Sequence, residues 1–477
     1  MNSIFTTSRG SFPNDVNVQA AAAARIKTSA YLSKRLDLRG KTTLCFVNSP
    51  EDYAHTAFSI SRNGYGWTLG VHIADVCEYV CDNSPIDIEA KKRCATISDG
   101  FTKSEMLPER IVSDICDLSK SGDKLTLSFL LDIDSNGNVS SINLEESVIR
   151  TAQSCVYSEL EQFVHTQDAS SVMLLRTKYE PYTSNILDMY ELAALFANTR
   201  QGRNVPDWIN SYRVYERSSE GKIVSCKTFD EPDVRAMIQE IGYFVSNVVG
   251  EYMAKNKLPV IYIGQAPGPE HIISYLESIL GIEPRFESLS ARAVDVTERA
   301  KGSKHYRLVC RLLGGGLPAS EFSDKPIENI LCGTETVVSF FRPATHYTDL
   351  LTLRALKDII RANGDVKNLN LNRHKKVISE AVIHANKAET YLYSANRAFT
   401  QESALEYLEY SDECCFEGNP LKRDASGSIP VLLDCGTYAV VPSEYANNFE
   451  FTAGETYRFE IIALGTEEEP TIVRPCK

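Results

Sequence analysis

The chain has 477 residues, 43% of them hydrophobic, which is enough for about two to four domains with a substantial buried core. Its formal net charge of −13 argues against a surface coated in positive charge for indiscriminate nucleic-acid binding, whereas a narrow basic channel in an acidic body stays compatible with it. No run of about 18 apolar residues occurs, so the sequence predicts no membrane span, and no secretory signal pattern opens the chain.

The first 34 residues are dominated by Ser, Thr and Ala and contain a single acid, Asp15, beside four basic residues. This composition predicts a flexible N-terminal arm over residues 1–34, with an organellar transit segment as the alternative. We expect the protein to be cytoplasmic in the first case and organellar in the second.

A mixture of short strands and long helices follows the arm. Short strands with turn signals are predicted between residues 44 and 80, and a helix from Pro85 to Arg93 begins after Ser84. Asp134 to Asn138 form a hairpin turn between two antiparallel strands. Long amphipathic helices are predicted over Asn185–Thr199, Glu231–Lys255 and His374–Ala398. The fold class is therefore α+β rather than a repeating βαβ array.

After about Gln401 the pattern changes to short β-rich runs separated by glycines. About five strands in about 70 residues predict a small C-terminal β-barrel of the OB type over residues 401–477. Its aromatic residues are expected to form the barrel core, with base stacking as the alternative role. These are Phe449, Phe451, Tyr457 and Phe459.

Thirteen cysteines are scattered along the chain without paired CxxC spacings. This pattern suggests neither a disulfide framework nor a tetrahedral zinc site. We expect buried free thiols, which are typical of a reducing compartment.

Several short sequence blocks are individually weak signals, but their order and spacing along the chain are specific. They are Arg35–Arg39, Phe46–Asn48, Ala57–Ile60, Leu69–Val76, Met106–Glu109, Ile115–Leu118, Met237–Asn247, Leu258–Tyr262 and Arg342–Arg354. Together they resemble the catalytic (RNB) domain of the ribonuclease II family of 3′-to-5′ exoribonucleases. The resemblance implies an RNB-type mixed sheet domain with long packed helices over residues 35–400, followed by an OB module that helps grip single-stranded RNA.

The resemblance also implies a two-metal site held by four aspartates, because paired Mg²⁺ ions need hard oxygen ligands. In this chain the matching positions are Asn48, Ala54, Thr56 and Ala57, none of which is an acid. Replacing four negative charges by none removes most of the electrostatic affinity for a divalent ion. We therefore expect no metal and no other cofactor, and Mg²⁺ only if the site has been rebuilt.

A second loss concerns the arginine that stabilises charge on the phosphate in the resembled family. The matching position is Thr345, and a tyrosine that senses the sugar is replaced by Ser98. The candidate RNA-binding residues are Arg342, His346, Tyr347, Arg354 and Ser98. Four residues that the resemblance implies are retained, and we expect them to hold helices together through buried ion pairs and hydrogen bonds; they are Glu240, Asp349, Arg354 and Glu389.

Three functional hypotheses follow from these losses. The first is an RNA-binding pseudonuclease that contacts single-stranded RNA and cannot cut it. The second is an active 3′-to-5′ exoribonuclease with a rebuilt site that uses Glu51, Asp52, His55 and Arg342. The third is an interaction scaffold that binds a protein partner and no RNA.

Overall fold

The computed structural model describes residues 10–26, 28–98, 103–165, 173–206, 211–230, 233–362, 369, 371–466 and 469–476. Among these residues, none of the helices combines the length and the hydropathy needed to cross a bilayer. The chain divides into two compact units, each built from three segments. The first comprises Met1–Arg203, Asp233–Gly264 and Glu321–Glu389, and the second comprises Asn204–Pro232, Gln265–Ser320 and Thr390–Lys477.

Helices and strands alternate irregularly along the chain. The helices are α1 (Asn14–Ala23), α2 (Pro85–Arg93), α3 (Tyr157–His165), α4 (Met173–Tyr179), α5 (Thr183–Gln201), α6 (Asp233–Lys255), α7 (Glu270–Leu280), α8 (Leu289–Ala300), α9 (Tyr306–Gly315), α10 (Tyr347–Arg361), α11 (Leu371–Tyr410) and α12 (Ser443–Ala446). The strands are β1 (Leu36–Asp37), β2 (Thr43–Val47), β3 (Thr56–Asn63), β4 (Gly66–Ala74), β5 (Ile97–Ser98), β6 (Lys103–Ser104), β7 (Asp123–Asp134), β8 (Val139–Arg150), β9 (Gln153–Val156), β10 (Ser211–Arg217), β11 (Ile223–Asp230), β12 (Tyr262–Gly264), β13 (Glu321–Ser323), β14 (Phe416–Pro420), β15 (Ile429–Leu433), β16 (Tyr438–Val441), β17 (Tyr457–Ala463) and β18 (Thr471–Pro475).

The first unit is built on a seven-stranded sheet with the strand order β1-β8-β7-β4-β3-β2-β9. The outer pairs β1–β8 and β2–β9 are parallel, and the four inner pairs are antiparallel. Neighbouring residues of β2 point to opposite faces, so that Leu44 and Cys45 enter two different apolar clusters. Helices cover both faces, and α10 contributes buried residues to both clusters. The predicted α+β class is thereby confirmed.

Local sequence signals explain two elements that were predicted closely. Helix α2 begins at Pro85, and the Ser84 side chain accepts a hydrogen bond from the Asp87 amide. In the β7–β8 hairpin, the Asp134 carboxylate accepts the amides of Asn136 and Asn138, while Gly137 has a φ of +84°. The three long helices predicted from periodicity are also present. Two are longer than predicted, at Thr183–Gln201 and Leu371–Tyr410, and the third is described over Asp233–Lys255.

The expected flexible arm is wrong for the part that the structure describes. Residues 14–23 form α1, and three apolar residues of this helix, Val16, Ala20 and Ala23, are buried in the core of the first unit. The alanine run has high helix propensity, and its small side chains let the helix approach the core closely. Residues 1–9 lie outside the described part of the chain.

The compact units also differ from the expected division at residue 400. Residues 204–232 and 265–320 group with the C-terminal barrel rather than with the sheet domain. Helix α11 continues to Tyr410, and the barrel begins only at Phe416. Periodicity along the chain cannot reveal such interleaving, because it depends on contacts between distant segments.

The second unit contains the predicted barrel, a closed five-stranded barrel with the order β14-β15-β16-β18-β17. Phe459 is fully buried in it, and Phe449, Phe451 and Tyr457 pack against the same cluster. Phe449 contacts Tyr457 and Phe459 edge to face, with ring centroids 5.3 and 6.0 Å apart. The expectation that these aromatic residues form barrel core is therefore confirmed.

One cysteine expectation is wrong. Cys415 and Cys476 form a disulfide, whereas the other cysteines are free thiols. Strand β17 pairs with both β14 and β18, and this pairing brings the residue before β14 close to the residue after β18. The pair becomes visible only when the barrel is closed, since 61 residues separate the two cysteines.

Candidate functional site

The pairing of β2 with β3 gathers the degenerate positions at one end of the sheet. Cys45 pairs with Ala57, so the chain leaves β2 at Asn48 and re-enters the sheet at Thr56. Ala57 is fully buried and Ala54 nearly so, while Asn48 is exposed. The four positions that the resemblance matches to metal ligands therefore lie at this one end of the sheet.

The segment that precedes α10 meets this end of the sheet. The Thr56 hydroxyl donates to the carbonyl oxygen of Phe341 at 2.8 Å. Backbone hydrogen bonds from Thr96 to the Thr345 carbonyl and from Tyr347 to the Cys94 carbonyl, each 2.8 Å long, fix the segment in place. Thr345, which matches the arginine of the resembled family, therefore lies near the positions that match its aspartates.

Asn48 is occupied by a side chain that the sequence did not suggest. The Arg235 Nη2 atom donates to Asn48 Oδ1 at 2.8 Å. The Arg235 guanidinium also lies over the Tyr157 ring, 4.5 Å from its centroid. The residue that matches the first metal ligand is therefore in contact with a cation of the protein itself.

The rest of the loop is held by buried hydrogen bonds. Asp117 is buried and accepts the Ala54 amide at 3.0 Å, together with the amide and hydroxyl of Ser119. His55 is also buried, and its Nε2 lies 3.2 Å from the Val112 carbonyl oxygen. Burial lowers the pKa of His55, so the ring is neutral at neutral pH. A neutral, enclosed imidazole does not act as a cation towards RNA.

His346 shares this environment. It is partly exposed as a residue, but its imidazole is surrounded by protein, and its Nδ1 lies 2.9 Å from the Thr345 hydroxyl. Burial lowers the pKa of His346, and the positive charge of Arg342 acts in the same direction. Like His55, it is therefore uncharged near neutral pH.

Arg342 is exposed, and its guanidinium has no ion-pair partner within the residues that the structure describes. Its backbone is fixed, because the Arg342 amide donates to the buried carboxylate of Asp349 at 2.8 Å. Asp349 also accepts the Ser339 hydroxyl at 2.5 Å. Burial raises the pKa of Glu389, and the charge of Arg342 opposes this shift. A positioned, solvent-facing cation therefore remains at the site.

Two of the candidate RNA-binding residues have structural roles instead. Tyr347 is buried, and its hydroxyl donates to Asp87 at 3.1 Å. Arg354 forms an ion pair with the same carboxylate at 2.7 Å, and its side chain is only 12% exposed. The expectation of RNA contacts is wrong for these two, because both side chains are directed at a buried acid. The alternative role of Arg354 in a buried ion pair is confirmed.

Glu240 likewise pairs with Arg200 at 2.5 Å and joins α6 to α5. Ser98 belongs to β5, whose partner is β6, but its side chain lies outside what the structure describes. Its role therefore stays a prediction.

The two acids proposed for a rebuilt site lie in the loop between β2 and β3. Asp52 closes its own turn, because its carboxylate accepts the Ser49 amide at 3.3 Å and its amide donates to the Ser49 carbonyl at 3.1 Å. Glu51 is exposed beside it, on the wall of a cleft of about 410 Å³ that Lys120 and Lys178 also line.

The residues at the degenerate positions do not fit a hard divalent cation. Asn48 offers an amide oxygen that already accepts from Arg235, the two alanines offer methyl groups, and the Thr56 hydroxyl donates to a carbonyl. Two other clusters within the described ranges bring three acidic or histidine side chains together. Asp75, Glu78 and Glu146 already pair with Arg35 and Lys357, and Glu161, His165 and Asp233 are partly or fully exposed and bonded to one another.

Sequence reasoning missed Arg235 and Tyr157 as parts of this site. Arg235 lies in the first turn of α6, where the helix dipole disfavours a positive charge. A basic residue at a helix start was therefore the one available signal, although nothing in the sequence connects it to Asn48, 187 residues away.

The chain is similar to known proteins over most of its length. The RNB domain model matches residues 35–362. Ribonuclease R of Thermotoga maritima is 28% identical over 408 residues, which cover 84% of this chain and 56% of that protein. Ribonuclease R of Mycoplasmopsis pulmonis is 25% identical over 408 residues, covering 83% and 54%. The chain spans about half the length of these curated relatives.

Solved structures show the same fold. Mycoplasma genitalium RNase R in complex with ribose methylated single-stranded RNA has a TM-score of 0.82 at 17% identity, covering 98% of this chain and 76% of that chain. Yeast Ssd1, a pseudonuclease, has a TM-score of 0.64 at 15% identity, covering 88% and 52%. The family match extends over more than half of the sequence. This chain therefore belongs to the RNB family.

Proposed function

We propose that the chain binds single-stranded RNA and does not cleave it. The observation that carries the proposal is the end of the sheet at Asn48 and Thr56, where none of the four positions matched to metal ligands is an acid and where Arg235 contacts Asn48. Position 345, the expected place of the charge-stabilising arginine, is a threonine bonded to His346. Without metal and without that arginine, hydrolysis lacks the groups that activate water and stabilise the developing charge.

Two features support binding of RNA. Arg342 presents an exposed guanidinium at the site, and a guanidinium matches the geometry of a phosphate group. The structurally similar RNase R of Mycoplasma genitalium has been solved with single-stranded RNA, and yeast Ssd1 combines the same fold with pseudonuclease status. The rebuilt-nuclease alternative has less support, because His55 is enclosed and Asp52 closes its own turn.

Arg342→Ala is expected to weaken RNA binding several-fold and to reduce the salt dependence by about 0.7 in the slope of log K against log salt, since one phosphate contact is lost. Fluorescence anisotropy with labelled single-stranded RNA at low and high salt measures both quantities. Arg150→Ala is a matched control, because Arg150 is an exposed arginine of the same unit that pairs with Asp123. Equal affinities and slopes for the Arg342 variant and the wild type would remove Arg342 from the RNA path.

A further inference from the structure

One disulfide links the first and the last strand of the barrel in the second unit. Cys415 is the residue before β14, and Cys476 is the residue after β18. These two strands lie on either side of β17, where Phe459 pairs with Phe416 of β14 and with Pro475 of β18. The disulfide therefore joins the two neighbours of β17 directly, which the backbone ladder does not do.

Strand β18 is attached to its neighbours by short or irregular ladders. Its pairing with β16 consists of two residue pairs, Ala439 with Thr471 and Val440 with Ile472. That pairing is parallel, and parallel pairing is slightly less stable per residue than antiparallel pairing. On its other side, the register with β17 is interrupted by a shift. We therefore expect the end of β18 to open more readily when the disulfide is absent.

The disulfide lies where small thiols from solvent can reach it. Cys415 and Cys476 are both partly exposed. Exposed disulfides are more readily reduced than enclosed ones, because a thiolate must reach one of the two sulfur atoms. Cys435, in contrast, is buried in the same barrel, and burial raises its pKa to about 12. Its thiol stays protonated at neutral pH and does not compete as a nucleophile.

The remaining cysteines indicate what kind of disulfide this is. All thirteen cysteines lie in the described part of the chain, and eleven of them are free thiols. The free thiols include Cys81 and Cys414, both of which are exposed. Such a pattern is typical of a reducing compartment, where disulfides are mostly transient or redox-sensing. A single, partly exposed disulfide among free thiols is therefore suited to reversible reduction.

We propose that the Cys415–Cys476 disulfide is a reversible redox clasp of the barrel, opened by a low-molecular-weight thiol and closed by the corresponding disulfide. In the opening reaction a thiolate attacks one sulfur of the pair, forms a mixed disulfide with it and releases the other cysteine as a thiolate. A second thiol attacks the external sulfur of the mixed disulfide and releases the second cysteine. Two small thiols thus become one small disulfide, and their electrons and protons pass to the two cysteines. Opening frees the end of β18 from the start of β14.

The first test asks whether the native protein exchanges with small thiols. The purified chain is incubated in millimolar reduced glutathione without denaturant, then quenched, unfolded and blocked with N-ethylmaleimide, so that intact mass counts the free thiols. The count is expected to rise from eleven to thirteen and to return to eleven with oxidised glutathione. A disulfide that is reduced only after unfolding in urea would be a permanent crosslink and would overturn the proposal. So would a native chain that oxidised glutathione leaves with thirteen thiols.

The second test asks whether opening loosens the barrel strand. Hydrogen exchange is followed by mass spectrometry in the oxidised and the reduced wild type. The amides of β18 are expected to exchange at least about tenfold faster in the reduced protein, because the crosslink no longer opposes local opening. Strands of the seven-stranded sheet in the same samples are expected to exchange equally in both states.

Two variants separate the clasp from other effects of thiols. Cys476→Ser is expected to show the fast exchange of β18 with and without glutathione, since it cannot form the bond. Cys414→Ser is the matched control, because it removes the exposed thiol beside Cys415 and keeps the disulfide, and it is expected to respond like the wild type. Should Cys476→Ser fail to fold, the reduced wild type makes the same comparison without a substitution. Equal exchange of β18 in the oxidised and reduced wild type would overturn the proposal.

Discussion

Asp75→Asn is expected to reduce the free energy of unfolding by about 3–5 kcal/mol, the range typical of a broken buried ion pair. The Asp75 carboxylate is fully buried and lies 2.6 Å from Arg35 and 2.6 Å from Lys357. Both cations are themselves at most 5% exposed. An amide at position 75 would remove the negative charge that both cations contact through Oδ2 and leave them beside a neutral oxygen. Urea denaturation followed by circular dichroism measures the loss.

Asp37→Asn is the control for this prediction. Asp37 pairs with Arg39 on β1 of the same sheet, but its side chain is 54% exposed. Solvent screens such a pair, so little change in stability is expected. A loss for Asp75→Asn no larger than that for the control would show that Glu78 and Glu146 hold the two cations without Asp75.

Stability is expected to fall steeply as the pH drops below about 6.5, before most carboxylates titrate. His72 is fully buried between the hydroxyls of Ser59 and Ser128, and burial lowers its pKa from 6.5 to about 3. Burial also lowers the pKa of His55 and of His346. Between the unfolded and the folded pKa the unfolded chain binds more protons, so each such histidine removes about 1.4 kcal/mol of stability per pH unit at full effect.

Urea denaturation at about pH 7, 6 and 5 tests this dependence. His346→Asn is expected to make the pH slope shallower, because asparagine can keep the contact with the Thr345 hydroxyl and does not titrate. His384→Asn serves as the control, since His384 is exposed. Identical slopes for all three proteins would contradict a neutral, buried His346.

Local signals made a large part of the fold predictable. Ser84 and Pro85 define the start of α2, and Asp134 to Asn138 define a hairpin, because capping and turn geometry depend on neighbouring residues only. The N-terminal helix was missed because its alanines indicate both helix and flexible chain until the core they pack against is known. The disulfide Cys415–Cys476 was missed for the same reason, since it depends on barrel closure.

The sequence alone shows which expected residues the candidate site lacks, but it does not show which residues now contact those positions. A linear motif located Asn48, Ala54, Thr56 and Ala57, and the strand register brings them together. The partners that now hold these positions come from distant segments, such as Arg235 beside Asn48. Burial also separated Arg342, which faces solvent, from Tyr347 and Arg354, which face Asp87. No sequence pattern distinguishes these orientations.

The central claim is that this member of the RNB family binds RNA without cleaving it. The most direct measurement incubates the purified protein with 3′-extended, end-labelled single-stranded RNA and excess Mg²⁺ or Mn²⁺, and follows cleavage by gel and binding by anisotropy in the same sample. The account predicts a stable complex with full-length RNA that chelator leaves intact. Stepwise shortening of the RNA that depends on metal and stops with chelator would contradict it.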